Sequence, residues 1–237
     1  MNKLENKVAY ITGGSKGIGL GIAQSLLNEG MKVAITGRNI QAVQEAAKAL
    51  DAGGERVLAI QSEVSVAADE VKAIQQTIEH FGQVDVVIAN AGVGIFGSIE
   101  DLTEEQWKQT IDTNLTGVFN TIKASIDALK QTKGYIITIA SLAGTNFFEK
   151  ASAYNASKFG LVGFTQAVML DLRKYGIKVS TIMPGSVTSY FNNHIPNDAD
   201  AWKIQPEDIG EIVVGLLKMH PRTLPSKIEV RPSMPGK

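Results

Sequence analysis

Val8-Ala9-Tyr10-Ile11-Thr12-Gly13-Gly14-Ser15-Lys16-Gly17-Ile18-Gly19 is the stretch that decides the fold of this chain. A short apolar run of the buried-strand type ends at Thr12, glycines follow at 13, 17 and 19, and a helical pattern starts at Ile18. A strand turning sharply into a helix presents the unpaired N–H groups of the first helical turn, and glycines let a pyrophosphate approach them closely. The turn therefore reads as a dinucleotide phosphate site built from Gly13, Ser15, Lys16, Gly17, Ile18 and Gly19. A glycine-rich turn with no ligand is the plain alternative; its place between a clear strand and a clear helix favours the site. The spacing is G-x-x-x-G-x-G rather than the commoner G-x-G-x-x-G. It also spells Gly13-x-Ser15-x-Gly17, formally a hydrolase nucleophile elbow, with His194 and His220 downstream. Such elbows follow several strands, whereas this turn follows the first.

Outward from that turn, short apolar runs alternate with longer amphipathic segments. Strands are expected at 8–12, 32–36, 56–61, 84–89, 135–140, 178–183 and 227–231. Helices are expected at 18–28, 40–50, 67–81, 103–131 (with Thr103 as its cap), 152–175 and 206–218. Near-continuous apolar strands separated by helices imply a Rossmann-type, doubly wound α/β fold, a seven-stranded parallel sheet with helices on both faces. Its ligands sit beyond the carboxyl ends of the strands. No linker interrupts residues 1–237, so one domain is expected. The polar stretch 186–205, with Asn192, Asn193, Pro196, Asn197 and Asp198, is the candidate lid.

Composition narrows the function. The 237 residues carry 23 basic and 24 acidic side chains, a net charge of −1, which gives no basic surplus for nucleic acid or anionic lipid. Cysteine is absent, excluding disulfides, thiolate metal sites and a cysteine nucleophile; no metal site is expected. The polar start Met1 to Asn6 and the lack of a long apolar stretch speak against export or membrane insertion, so a cytoplasmic protein is expected.

Two further features carry chemistry. The second strand ends Ile35-Thr36-Gly37-Arg38-Asn39, placing Arg38 where an acid would hold the ribose hydroxyls of NAD. Arg38 and Lys16 together would attract a 2′-phosphate, so NADP(H) is expected ahead of NAD(H). Separately, Tyr154 and Lys158 lie four apart in a helical stretch and so share one face. A free phenol titrates near ~10, and a nearby cation can bring it toward neutrality for acid–base work. A solvated helix face is the alternative for that pair alone.

The whole chain resembles the short-chain dehydrogenase/reductase family in its compact single-domain branch. The resemblance is carried, in order, by Thr12-Gly13-x-x-x-Gly17-x-Gly19, Asn90-Ala91-Gly92, Asn114, Ser141, Tyr154-x-x-x-Lys158 and Pro184-Gly185. It implies a catalytic set of Asn114, Ser141, Tyr154 and Lys158. Tyr154 would protonate a carbonyl oxygen as hydride arrives, Ser141 would orient that oxygen, Lys158 would lower the Tyr154 pKa and hold the ribose, and Asn114 would support a water linking Lys158 to solvent. It also implies cofactor contacts from Asn90, Ala91, Gly92, Glu63, Val64, Pro184, Gly185, Val187 and Ser189. Taken singly, Asn114, Ser141 and Pro184-Gly185 could equally serve local structure.

Departures from the family pattern are Glu63 for an Asp near the adenine, Ala89 for an Asn, and Ser189 for a Thr. The expected partner is a small carbonyl or alcohol substrate, with 3-oxoacyl-carrier-protein reduction a named possibility if Lys130, Lys133 or Arg173 cluster near the mouth. A non-catalytic NADP(H) sensor or scaffold on the same fold is the other class. The resemblance implies a homotetramer, with a homodimer second. Phe147, Phe148, Tyr190, Phe191 and Trp202 are candidate apolar contacts around the pocket or the lid.

Overall fold

The computed structural model describes residues 4–234, except the side chain of Asn193; the first three residues of the polar start and residues 235–237 lie outside it. Seven strands form one parallel sheet: β1 (Val8–Thr12), β2 (Lys32–Gly37), β3 (Val57–Gln61), β4 (Val86–Ala89), β5 (Tyr135–Ile139), β6 (Lys178–Pro184) and β7 (Lys227–Val230). Their order is β3-β2-β1-β4-β5-β6-β7. The chain reverses direction across the sheet between β1 and β4, which opens a crevice at the carboxyl ends of those two strands.

The sheet is covered by α1 (Gly17–Asn28), α2 (Ile40–Leu50), α3 (Ala67–Phe81), α4 (Glu104–Ile111), α5 (Gly117–Thr132), α6 (Ser152–Leu172) and α7 (Pro206–Lys218). Strand alternation divides the core in two. Ala9, Ile11, Val33, Ile35, Val86, Ile88 and Ile137 pack with Ile22, Leu26, Val43 and Val213 of α1, α2 and α7. The intervening Tyr10, Ala34, Val87, Ala89, Ile136 and Val179 pack with Ile74, Ile122, Leu129 and Leu161 of α3, α5 and α6. Helices cover both faces of the sheet, so side chains pointing either way are enclosed, and β1 has all five residues buried.

Local detail refines the sequence expectations. The helix expected over 103–131 is capped by Thr103, whose hydroxyl accepts from the Gln106 N–H at 3.2 Å, but a π turn at Asp112–Thr116 divides it into α4 and α5. The fourth strand begins at Val86 rather than at 84, and the buried Asp85 before it accepts from Val8 N at 2.8 Å and Lys7 Nζ at 2.9 Å. The polar 186–205 stretch, the candidate lid, forms a flap with a closed base. Thr188 donates to the Ile204 carbonyl and Ile204 to the Ser186 carbonyl, so its two ends are stapled together.

A buried carboxyl braces the sheet near its third strand. Glu70 accepts from Ser62 Oγ at 2.6 Å, Thr121 Oγ1 at 2.7 Å and the Tyr10 hydroxyl at 3.1 Å. Burial pushes its pKa up, against the pull of those hydroxyls. The bond to Ser62 fixes the segment that continues into Glu63 and Val64. No helix among the described residues is long and apolar enough to cross a membrane.

Candidate active site

One cleft of about 1190 Å³ runs along the carboxyl edge of the sheet. It begins at the glycine turn. Gly13 and Gly17 have φ of +66° and +56°, backbone that favours glycine. A β-carbon on Gly19 would collide with the Gly13 carbonyl and with Asn90 Nδ2. Asn90 holds the turn shut from below: its amide donates to the carbonyls of Thr12 (2.9 Å) and Gly13 (3.1 Å). Thr12 Oγ1 in turn accepts from the N–H groups of Asn90 and Ala91, both at 3.0 Å. The helix that follows has no side-chain cap at Lys16, so its first-turn N–H groups are left to the cleft. Gly13, Ser15, Lys16, Gly17, Ile18, Asn90, Ala91 and Gly92 all line the cleft, while Gly19 acts through the close packing behind it. A cradle that has no room for a β-carbon and ends on uncapped amides fits a dinucleotide pyrophosphate.

At one end stand Arg38, Glu63 and Val64. The sequence reading paired Arg38 with Lys16 around a phosphate; in the structure each has a protein partner. Arg38 Nε lies 3.7 Å from Glu63 Oε2, and Lys16 Nζ sits 5.5 Å from the centroid of the Tyr190 ring. Both contacts are outward-facing, the Arg38 side chain being 64% exposed, so they cost little to exchange.

At the other end the reactive groups converge. Tyr154 and Lys158, on one face of α6, are 7% and 5% exposed. Lys158 Nζ donates to the Ile139 carbonyl at 3.1 Å and lies 5.7 Å from the centre of the Tyr154 ring. Burial pushes the Tyr154 phenol up to about 12, with the Ser141 hydroxyl pulling the other way, and burial draws Lys158 down to about 8. The expected lowering of the phenol by the ammonium does not arise in the protein alone, where loss of water around the phenol raises it and only Ser141 opposes. Ser141 follows β5 by two residues, and its Oγ accepts from Ala143 N at 3.1 Å. Asn114 is brought in by the π turn, which re-aims it at Val93: Oδ1 accepts from Val93 N at 2.8 Å, and Nδ2 donates to Val93 O and Ser157 Oγ. One Oδ1 lone pair remains for a water. Gly92 separates the two groups; a β-carbon there would stand 3.3 Å from Asn114 Oδ1 and 3.7 Å from Lys158 Nζ.

Pro184, Gly185, Val187 and Ser189 line the third side. Gly185 donates to the Val230 carbonyl at 2.8 Å, and Val187 bridges to Ile204 at the base of the flap. The flap closes on Asp200, only 4% exposed, which binds His194 Nε2 and Lys203 Nζ at 2.5 Å each. Those partners, Lys203 first, hold its carboxyl down to about 2.

Sequence reasoning missed Phe96, Gly94, Asn155 and Asp200. Phe96 sits in a loop with no periodicity to mark it, yet its ring packs 5.3 Å from that of Tyr154. Asn155 carried a weak signal, lying beside Tyr154. Its amide donates to the carbonyls of Ala143 (2.7 Å) and Asn146 (2.8 Å), fixing the loop after Ser141. Of the aromatic candidates, Phe148, Tyr190 and Phe191 line the cleft, while Phe147 and Trp202 are not among its lining residues. Lys130, Lys133 and Arg173 lie before β5 and β6, at the amino edge of the sheet and away from the cleft mouth. Among the described residues no group of three or more His, Cys, Asp or Glu could hold a metal ion.

A doubly wound sheet with this cleft and this buried tyrosine–lysine pair defines an oxidoreductase of the Rossmann class. The model for the short chain dehydrogenase family matches residues 7–200, and the chain belongs to that family. It is 34% identical over 238 residues to an uncharacterized oxidoreductase of Staphylococcus saprophyticus, covering 98% of this chain and 100% of the relative. Among solved structures it resembles an alcohol dehydrogenase from the archaeon Thermococcus sibiricus, complexed with 5-hydroxy-NADP. That match has 30% identity and a TM-score of 0.90, over 98% of this chain and 99% of the other. It also resembles a 3-ketoacyl-(acyl-carrier-protein) reductase from Brucella melitensis complexed with NADH, at 25% identity and TM-score 0.89, over 97% and 98% of the two chains.

Proposed function

We propose that this protein, as one domain, reduces a ketone-type carbonyl to a secondary alcohol with NADPH, Tyr154 giving the proton. The observation that carries the reading is a phenol buried at the carboxyl edge of the sheet, beside Ser141 in the same cleft and one helical turn from a buried lysine. The cofactor, held by the glycine turn, Asn90 to Gly92 and residues 184–189, supplies the hydride when bound. Ser141 fixes the carbonyl oxygen, Tyr154 delivers its proton there, and Lys158 holds the ribose and helps to return a proton from solvent through a water at Asn114. The apolar surroundings exclude bulk water from the exchange.

NADPH is preferred over NADH in this reading because Arg38 and Lys16 border the cleft where a 2′-phosphate would lie. The NADP analogue bound by the Thermococcus relative agrees with it, while the Brucella relative was solved with NADH. A panel of ketones and aldehydes followed at the nicotinamide absorbance tests both parts. NADPH should give kcat/KM at least tenfold above NADH, and Arg38→Asp should lower that ratio at least tenfold by raising KM for NADPH. No turnover on any carbonyl, or a wild-type preference for NADH, overturns the respective part.

We place the protein in the cytoplasm and assemble it as a homotetramer, or failing that a homodimer. Trp107, Phe119, Phe159 and Leu170 leave apolar surface exposed on α4, α5 and α6, which a second copy would cover. Light scattering should give the mass of four chains, or of two; a monomer mass rejects both.

A further inference from the structure

The wall facing Tyr154 narrows the substrate class. Its phenol ring lies in a nest of phenylalanines drawn from three separate loops. Phe96 is edge-on at 5.3 Å between centroids and Phe191 is at 5.5 Å; Phe148 stands 6.0 Å and Phe191 6.2 Å from Phe96. Two of the rings are held by their surroundings. Asn155 Oδ1 accepts from Phe148 N at 3.4 Å while its amide ties down the same loop. Phe191 rests on Gly94, where any β-carbon would collide with its ring. Phe148 and Phe191 are nevertheless 51% and 37% exposed, so the nest presents ring surface that a ligand would cover.

Charge points the same way. Of the ionisable side chains lining the cleft, Lys16, Arg38 and Glu63 belong to the glycine-turn end, and Lys158 donates to Ile139. His194 and Lys203 both bind Asp200, and Arg231 reaches Glu229 at 3.2 Å. A carboxylate or phosphate on the substrate would meet His194, Lys203 and Arg231 already engaged with acids, the first two through the buried Asp200, whereas an uncharged ring meets the faces of Phe96, Phe148 and Phe191.

We infer that the substrate is an uncharged aryl ketone or aryl aldehyde, its ring among Phe96, Phe148 and Phe191 and its oxygen at Ser141 and Tyr154. This rests on the carbonyl-reductase reading above. The carbonyl carbon takes a hydride, the oxygen takes the Tyr154 proton, and the products are the aryl alcohol and NADP⁺, with the tyrosine proton restored from solvent. It excludes a carrier-linked 3-oxoacyl thioester as the preferred substrate.

The test compares acetophenone, cyclohexyl methyl ketone, 4-carboxyacetophenone and an acetoacetyl thioester as substrates with NADPH. In parallel, equilibrium binding of the first three to the enzyme–NADP⁺ complex is followed by NMR. Acetophenone should exceed each of the others at least tenfold in kcat/KM, and should bind at least tenfold more tightly than the other two ketones. Phe96→Leu and Phe191→Leu should each shrink the aryl-to-cyclohexyl ratio at least threefold. Turnover that favours the cyclohexyl ketone, the carboxylate or the thioester overturns the aryl assignment and leaves the carbonyl-reductase reading standing. Selective aryl binding without turnover of any compound sinks that reading and keeps the aryl site. Neither turnover nor selective binding removes both.

Discussion

Tyr154→Phe is expected to lower kcat for carbonyl reduction by about three orders of magnitude while leaving the dissociation constant for NADPH within roughly threefold, the general-acid contribution being about 10²–10⁴-fold. The substitution deletes one oxygen and keeps the ring, so the packing against Phe96 and Phe191 survives and the fold has no reason to change. The loss falls on kcat because the proton is needed only as charge develops on the substrate oxygen. Burial, which holds this phenol up at about 12, also fixes the pH behaviour. The proton stays on through the neutral range, so reduction should be flat there and fall at alkaline pH, first as Lys158 loses its charge near about 8 and then as the phenol itself ionises. Alcohol oxidation needs the phenolate as base and should rise with pH over the same span. Steady-state rates at the nicotinamide band, with cofactor binding read by fluorescence, check both. A phenylalanine variant turning over at the wild-type rate removes Tyr154 from the chemistry.

The two halves of this site were legible in the sequence to different degrees, for a physical reason. The glycine turn is local: strand, turn and helix lie within a dozen residues, and the backbone geometry demanded at Gly13 and Gly17 is written in residue type. The tyrosine–lysine pair is local too, being one helical turn. The strand alternation that divides Ile11 from Tyr10 between opposite faces needed only period two. The π turn around Asn114 left no such mark. It depends on which carbonyl each N–H selects, and it is stabilised by Val93 and Ser157 from remote segments.

The phenylalanine nest is remote in the same sense. Phe96, Phe148 and Phe191 meet only because three loops leave neighbouring strand ends. Nothing in the sequence distinguished Phe148, which lines the cleft, from Phe147, which is 85% exposed. The order of the flap was likewise hidden, because Asn- and Asp-rich composition signals turns, while the buried Asp200 that organises it becomes visible only with His194 and Lys203 around it.

Lys158→Met is expected to abolish measurable turnover and at the same time to make the protein more stable. The lysine is 5% exposed, and burial draws it from the ordinary 10.5 down to about 8. That difference corresponds to about 3 kcal/mol held against the folded state wherever the charge is carried, at about 1.36 kcal/mol per pH unit. Removing the ammonium also removes its bond to the Ile139 carbonyl, which gives back roughly 1.5 kcal/mol. The net gain is about 1–2 kcal/mol, or roughly 3–6 °C in Tm for a chain of this size. The sign can be followed with pH. Below about 8 both folded and unfolded chains are charged at this position and the folded state bears the full penalty. Between about 8 and 10.5 the unfolded chain binds more protons than the folded one, so wild-type stability rises with pH through this window while the methionine variant gains nothing from that position. The variant's advantage should therefore be largest at pH 7 and close toward pH 10.5, as thermal unfolding of both proteins across that range would show. A less stable variant, or a difference that does not change with pH, would mean that the ammonium is better solvated than its burial implies, and that the lysine supports the fold as well as the chemistry.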